Sequence, residues 1–324
     1  MEEFNLNKRR EFLRQMILGS SALIAFNPLS ATSISNQLFD TIIADDLIKL
    51  TILHTNDVHS RIDPFPDNDP QYAGLGGVAH RATLIKKIRN EEKNVLLLDA
   101  GDIWQGTPYF NMYGGELEFK LMSEMKYDAS TIGNHDFDNG VEGLAKQLPH
   151  AKFPFINCNY DFSDTAMNGK TIPYKIFYRD DLKIGIFGIG IELKGLVDKK
   201  MYGNTLYTDP LQKSAEMAHL LKREMNCDMV ICLSHLGDRY QDKKVSDVIL
   251  AKQSKNIDII IGGHTHRFID KPLMFSNSDG KEILIAQVGW AGIKLGRIDY
   301  FFSRKKKKTY ALGASIKISD TNNG

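Results

Sequence analysis

The sequence predicts an α/β fold in which polar side chains gather at the ends of buried strands. Two patterns lead to this prediction: apolar runs that end abruptly in Asp, Asn or His beside glycine, and amphipathic helical segments between those runs. The chain has 324 residues, of which 42% are hydrophobic and 25% are charged. This composition is typical of globular proteins, and the length suits one large α/β domain or two smaller ones.

Five apolar runs are predicted to be buried strands, because short stretches rich in Ile, Leu and Val and bounded by Gly and polar residues are typical of them. The runs are LTILHTNDVHS (50–60), NVLLLDAGDIWQGT (94–107), ASTIGNHDFDNG (129–140), MVICLSHLGD (229–238) and IDIIIGGHTH (257–266).

Three segments between the runs have the spacing of amphipathic helices. They are GVAHRATLIKKIRNEE (77–92), GELEFKLMSEMK (115–126) and LQKSAEMAHLLKREMN (211–226). In the last of these, leucine and alanine side chains share one face and Lys, Arg and Glu occupy the other. Strands that alternate with helices indicate α/β architecture.

The polar ends of the five strands carry side chains that bind metal ions. In α/β sheets, polar residues just past the carboxyl ends of strands form the ligand crevice, so we expect these side chains to converge. They are too many for one ion with four to six ligands and suit two ions, provided that one carboxylate bridges them. The candidate ligands are Asp57, His59, Asp102, Asn134, His235, His264 and His266.

Two pairs of candidate ligands are separated by one residue. Asp57 and His59 form one pair, and His264 and His266 form the other. In an extended segment, residues two apart project from the same side of the chain, so each pair is predicted to face one site. His54 lies inside a predicted strand and is predicted to be a packing or surface residue.

The net charge and the cysteine content indicate neither a nucleic-acid-binding protein nor a disulfide-rich one. The formal net charge of +1 does not favour nucleic acid polymers or anionic membranes as partners. The basic run RKKKK (304–308) lies between two strand-like segments and is predicted to be a solvated hairpin turn. Three cysteines cannot form a complete disulfide framework, and we expect buried free thiols at Cys158, Cys227 and Cys232.

The N-terminus has the pattern of an export signal. Arg9 and Arg10 precede a short apolar stretch from Met16 to Phe26, and small residues follow. The apolar stretch is too short for a permanent membrane anchor, and the arginine pair resembles a twin-arginine signal, although Lys8 stands where Ser or Thr is usual. Residues 1–31 are therefore predicted to be a signal peptide, which implies a periplasmic or otherwise exported protein.

The ordered motifs TNDVH, GDIWQGT, GNHDFD, SHLG and GGHTH resemble those of the calcineurin-like metallophosphoesterases, and within them the catalytic domain of the 5′-nucleotidase / UDP-sugar hydrolase family. The resemblance covers about residues 48–318. It implies a four-layer α-β-β-α sandwich of two mixed sheets, with a dinuclear metal site at the carboxyl ends of strands. It also implies hydrolysis of nucleotide phosphate esters by a hydroxide held on the two ions.

The resemblance assigns roles residue by residue. One ion would be held by Asp57, His59 and His266, and the other by Asn134, His235 and His264, with Asp102 as the bridge. His135 would be the catalytic histidine, and Asp138 the carboxylate that orients it. Asn56 and Asp99 would orient the ligands beside them. Many members of the family have Glu where this chain has Asp136, and we expect that difference to have little effect.

The substrate and the metals stay open. Nitrogen and oxygen donors admit Mn, Zn, Fe or Co. Family members with two domains bind the nucleotide through a C-terminal domain, so a separately encoded substrate-binding domain is a predicted partner. The alternatives are a cyclic-nucleotide phosphodiesterase, a UDP-sugar pyrophosphohydrolase, a catalytic subunit that requires that partner, a thiosulfonate hydrolase of sulfur oxidation, and a non-catalytic metal-binding scaffold.

Overall fold

The computed structural model describes residues 47–303 and 308–320. The predicted signal peptide (1–31) and residues 304–307 of the predicted basic turn lie outside these ranges, so both stay predictions. Strands and helices are numbered below in chain order.

Five strands form the first sheet. Its spatial order is β13 (Lys308–Lys317), β12 (Lys294–Ser303), β1 (Leu47–Thr55), β2 (Val95–Asp99) and β3 (Ala129–Ser130). Strands β1, β2 and β3 are parallel, whereas β12 runs antiparallel to both β1 and β13. Three strands from the predicted ligand runs therefore end at the same edge of this sheet.

Six strands form the second sheet. Its spatial order is β10 (Leu273–Ser276), β11 (Glu282–Ala286), β9 (Ile259–Ile261), β8 (Met229–Ser234), β6 (Leu182–Ile189) and β5 (Tyr174–Arg179). The four central strands are parallel, and β10 and β5 pair antiparallel at the two edges. A separate two-stranded sheet joins β4 (Tyr160–Asp161) to β7 (Leu206–Tyr207).

The helices lie between the strands, as the sequence pattern predicts. They are α1 (Val78–Glu91), α2 (Pro108–Tyr113), α3 (Glu116–Glu124), α4 (Gly140–Gln147), α5 (Lys199–Tyr202), α6 (Pro210–His219) and α7 (Asp247–Gln253). Short 3-10 turns cover His135–Phe137 and Leu148–His150, and a π turn covers Leu220–Glu224.

Local chemistry explains where α6 begins. The Asp209 side chain accepts hydrogen bonds from the backbone N–H groups of Leu211 and Gln212, and Pro210 occupies the first helical position. A carboxylate cap followed by proline is a strong start signal for a helix. The predicted helix over 211–226 is thus present, with its last turn in the wider π geometry.

The two sheets pack face to face with helices outside, which confirms the predicted four-layer sandwich. A central core contains side chains from both sheets, including Leu50 of β1 and Ile231 of β8. A second core packs the outer face of the first sheet against α1, α3 and α4. A third core packs the outer face of the second sheet against α6 and α7.

Two features differ from the predictions. The third predicted strand is only two residues long, because Ala129–Ser130 leads directly into a turn. Cys227 and Cys232 are buried free thiols, as predicted, whereas Cys158 is free but partly exposed. Within residues 47–303 and 308–320, the helices are too short or too polar to span a bilayer.

Candidate metal centre

Five of the seven candidate ligands lie in turns with left-handed backbone conformations after the strands. The φ angles are 51° at Asp57, 50° at His59, 54° at Asp102, 74° at His264 and 54° at His266. The expectation that each pair projects from one side of an extended segment is therefore wrong in its geometry. Each pair is brought to one place by a tight turn, a conformation that is uncommon for residues other than glycine.

Hydrogen bonds between loops hold these strained turns. The backbone N–H of Asp57 donates to the Gly101 carbonyl at 2.9 Å, and that of His59 donates to the Asp102 carbonyl at 3.1 Å. The backbone N–H of His264 donates to the Asp57 carboxylate at 3.0 Å. Backbone strain of order 1 kcal/mol or more per residue persists where the surrounding structure over-determines it, and it is concentrated here.

Asp57, His59 and His266 form the first cluster of potential ligand atoms. The Nε2 atoms of His59 and His266 are 3.0 Å apart, although the two residues are separated by 207 positions in the chain. His266 Nε2 is 3.4 Å from Asp57 Oδ1, and His59 Nε2 is 4.0 Å from the same oxygen. His59 Nδ1 faces the Trp104 carbonyl at 3.0 Å, which leaves Nε2 directed at the cluster.

Asp102, His235 and His264 form the second cluster. His235 Nε2 lies 3.0 Å from Asp102 Oδ2, and His235 Nδ1 faces the Ala100 carbonyl at 2.7 Å. Asn134 joins this cluster through its Oδ1, which lies 2.8 Å from His264 Nδ1. All seven predicted ligands are thus gathered in one place.

Asp102 belongs to the second cluster and also reaches the first. Its Oδ2 is 3.0 Å from His235 Nε2 and 3.9 Å from His59 Nε2, and its Oδ1 accepts the backbone N–H of His135 at 2.7 Å. Burial raises the pKa of Asp102, but His235 and His59 outweigh it and hold that pKa well below its usual value. This carboxylate is therefore placed and charged as a bridge would be.

The residues fit two divalent ions. Ligand atoms about 2.1 Å from one ion are about 3.0 Å apart at a right angle and about 4.2 Å apart across it, and the separations in the first cluster span this range. Burial lowers the pKa of His235, but Asp102 outweighs it and raises that pKa to about 10. The carboxylates that stabilise a proton on His235 also attract a divalent cation.

His135 and Asp138 lie beside the clusters. His135 Nδ1 is 2.8 Å from Asp138 Oδ2; His135 begins a 3-10 turn and Asp138 caps its end. The hydrogen bond to Asp138 raises the pKa of His135. The His135 ring meets the His59 ring edge-on with centroids 5.3 Å apart, and its side chain is 40% exposed. This imidazole is therefore open to a substrate.

Asn56 and Asp99 act on the turns in different ways. Asn56 Nδ2 donates to Asp57 Oδ2 at 2.6 Å, and its Oδ1 accepts the Val288 N–H at 2.9 Å. Asp99 accepts the Gly101 N–H at 3.0 Å, and burial raises its pKa to about 6. Asn56 contacts a candidate ligand directly, whereas Asp99 shapes the loop that precedes one.

Asp136 is a further residue of the site that the sequence reasoning set aside. Its carboxylate is fully buried. It accepts backbone N–H groups from Gly133 at 2.8 Å, Asp102 at 3.1 Å, Ile103 at 2.9 Å and Trp104 at 3.3 Å. It therefore anchors the Asp102 turn against the turn that carries Asn134. Its position next to His135 was the signal that could have identified it.

Gln287 and Asp238 stabilise the His264–His266 turn through hydrogen bonds. Gln287 Nε2 donates to the Gly263 carbonyl at 2.6 Å. Thr265 Oγ1 donates to Asp238 Oδ1 at 2.9 Å, and Arg267 donates to Asp238 Oδ2 at 2.8 Å. The sequence offered no signal for Gln287, because only packing of β11 against β9 brings it under this turn.

Comparison with known proteins agrees with the fold and the motifs. Residues 50–268 match the family of calcineurin-like phosphoesterases. The chain is 33% identical over 298 residues to a snake venom 5′-nucleotidase from Crotalus adamanteus, covering 86% of this chain and 49% of the relative. It is 32% identical over 294 residues to a human 5′-nucleotidase, covering 84% and 50%.

A solved structure described as a 5′-nucleotidase precursor from Thermus thermophilus superposes with a TM-score of 0.77 at 28% identity, covering 85% of this chain and 55% of that one. The chain belongs to the calcineurin-like phosphoesterase family, and its similarity to the catalytic domain of 5′-nucleotidases confirms the resemblance stated from the motifs. The chain spans about half the length of these relatives.

Proposed function

We propose that this chain is a metal-dependent phosphoric ester hydrolase of 5′-nucleotidase type, which releases phosphate from nucleotides. The observation that carries the proposal is the pair of ligand clusters that meet at Asp102 beside the His135–Asp138 pair. Membership of the phosphoesterase family and similarity to 5′-nucleotidases support it.

Two divalent ions are part of this proposal. Such ions, when bound, supply Lewis acidity and a water molecule of lowered pKa. The donor set is nitrogen and oxygen without thiolate, so Mn, Zn, Fe and Co all remain candidates. The residues that would hold them are Asp57, His59 and His266 on one side, Asn134, His235 and His264 on the other, and Asp102 between them.

The chain's own acid–base chemistry is assigned to His135. Asp138 accepts the hydrogen on Nδ1, which fixes the tautomer and favours the cationic ring. Nε2–H is then free to donate to the phosphate oxygens or to the leaving oxygen, where negative charge develops. The Asp102 carboxylate holds the His135 backbone at 2.7 Å, so the ring is positioned by the same group that links the clusters.

We also propose that residues 1–31 direct export and that residues 48–318 form the catalytic domain. The paired arginines and the short apolar stretch support export, and a periplasmic site of action would follow. The separately encoded substrate-binding domain stays a prediction, and activity of the chain by itself tests whether such a partner is required.

The test is phosphate release by the chain from residue 32 onward, loaded with Mn²⁺ or Zn²⁺. The substrates are AMP, UMP, UDP-glucose, 2′,3′-cyclic AMP and bis(p-nitrophenyl) phosphate. Chelator, which removes the ions, and Asp102→Asn, which removes the carboxylate that links the clusters, are the controls. Turnover of AMP and UMP that both controls abolish supports the proposal. A correctly folded, metal-loaded chain that releases no phosphate from any of these esters contradicts it.

A further inference from the structure

An aromatic surface borders the metal centre on the side of His266. The Trp290 ring stacks on the His266 ring with centroids 5.9 Å apart and an interplanar angle of 8°. Tyr72 meets Trp290 nearly at a right angle at 6.2 Å, and the Tyr72 ring lies 6.4 Å from that of Phe268. We call Trp290, Tyr72 and Phe268 the aromatic ledge. It leads continuously away from a candidate ligand.

Core packing accounts for only one side of this ledge. Phe65 lies behind it, is buried with Ala291 and Ile293, and contacts Trp290 edge-on at 5.9 Å. By contrast, Tyr72 and Trp290 are partly exposed, and Phe268 is 36% exposed. Large exposed aromatic rings beside a polar cleft are typical of ligand-binding surfaces.

Two cationic side chains occur beside the ledge, each paired with a carboxylate. The Lys294 ammonium lies 5.2 Å from the centre of the Phe268 ring and also pairs with Asp270. Arg267, whose side chain is 45% exposed, follows His266 directly and pairs with Asp238 at 2.8 Å. Cationic groups above and beside aromatic rings complement a ligand that combines a flat ring with negative charge.

We propose that the aromatic ledge is the subsite for the nucleobase of a nucleoside monophosphate whose phosphate lies at the metal centre. This inference rests on the proposed function. Every nucleobase has a flat, polarisable face, so an aromatic surface stacks with any base and selects for the ring rather than for its identity. Phe268 and Tyr72 are thus specificity-determining residues within the catalytic domain itself.

A pair of substrates isolates the contribution of the base. AMP and ribose 5-phosphate share the phosphate and the sugar, and only AMP has a base. Stacking of one base on aromatic side chains corresponds to about a 5- to 150-fold effect on affinity. For Phe268→Ala and for Tyr72→Ala we expect kcat/KM for AMP to fall about tenfold, through KM, while kcat/KM for ribose 5-phosphate stays within about twofold.

The control variant is Tyr178→Ala. Tyr178 is a 63% exposed aromatic residue on the edge strand β5, so its loss removes a similar surface away from the metal centre and should change neither substrate. Trp290 is left intact because its ring covers His266. Equal loss for both substrates in the ledge variants, or no loss for AMP, overturns the inference.

Binding separates this inference from the proposed function. Calorimetry with AMP and with ribose 5-phosphate, carried out in chelator so that neither compound is hydrolysed, measures binding at the aromatic ledge without turnover. Tighter binding of AMP in the natural chain, reduced to the level of ribose 5-phosphate in Phe268→Ala, supports the ledge even if no phosphate is released. Equal binding of both compounds by the natural chain rejects it, even if the chain hydrolyses both.

Discussion

The substitution Gly133→Ala tests how closely the turns of the metal centre are packed. A Cβ atom at residue 133 would lie 2.2 Å from Oδ1 and 2.5 Å from the backbone nitrogen of Asp102. Real Cβ atoms are essentially never closer than 3.0 Å to such neighbours. The new methyl group therefore has to displace the carboxylate that lies between the two clusters, the neighbouring Asn134 turn, or both.

The structure sets the size of the effect. Increasing the shortest contact from 2.2 Å to 3.0 Å requires a displacement of about 0.8 Å. The two turns cannot yield without cost, because the buried Asp136 carboxylate accepts backbone hydrogen bonds from the Asp102 turn and from Gly133 itself. A misplacement of about 1 Å at a catalytic site can lower the rate about 100-fold, and we expect kcat/KM for AMP to fall by about that factor.

The assay combines steady-state kinetics, bound-metal analysis and thermal unfolding. Gly280→Ala is the matched control, because residue 280 also has a glycine, lies in the turn between β10 and β11, and has no atom within 4 Å of an added Cβ. Its positive φ of 71° costs about 1 kcal/mol of stability for alanine without moving a candidate ligand.

The two variants should therefore separate activity from stability. Gly280→Ala should unfold at a slightly lower temperature and keep its activity, whereas Gly133→Ala should lose activity by far more than its change in stability explains. A Gly133→Ala variant with the natural kcat/KM and the natural metal content would refute the packing argument.

Three further predictions concern charge. Asp138→Asn removes the partner that raises the pKa of His135, so kcat should fall about 100- to 10,000-fold. The decrease in activity at high pH should also begin at a lower pH than in the natural chain. An unchanged pH profile would count against the assignment of Asp138 as the partner of His135. Burial lowers the pKa of His54 from 6.5 to about 4, so the folded state binds fewer protons than the unfolded state. The free energy of unfolding should therefore be highest above pH 6.5 and should decrease by about 3 kcal/mol as the pH falls towards 4. Urea unfolding at pH 7.5 and pH 5 should show about 2 kcal/mol of this decrease in the natural chain and in the exposed-site control His219→Gln, but much less of it in His54→Gln. Saturating Mn²⁺ or Zn²⁺ should raise the free energy of unfolding by about 3 kcal/mol at 100 times the dissociation constant, and equal stabilisation of Asp102→Asn would show that the ions bind elsewhere.

The fold class and the candidate ligands could be predicted from the sequence because their signals are local. A strand such as β8 is a run of apolar residues, and the polar residue that follows it is adjacent in sequence, so His235 could be identified without coordinates. The same holds for Asp102 after β2. The arrangement of two facing sheets came from the family resemblance, because no local pattern shows which sheet a buried strand joins.

The left-handed turns could not be predicted from the sequence. His264 and His266 look like alternating residues of an extended segment, yet their φ angles are 74° and 54°. These conformations are stabilised by distant groups, such as the Asp57 carboxylate that receives the His264 N–H across 207 residues. A hydrogen bond over that separation exists only after both sheets have packed.

The sequence by itself therefore determined which side chains are the candidate ligands and which strands they follow. Only the tertiary structure decided that Asp102 lies between two clusters, that Asp136 anchors four backbone N–H groups, and that an aromatic ledge leads away from His266. The physical reason is the sequence separation of the interacting residues. Strand and helix patterns depend on neighbours within a few residues. Distances of about 3 to 4 Å between ligand atoms of distant loops depend on how the whole core is packed.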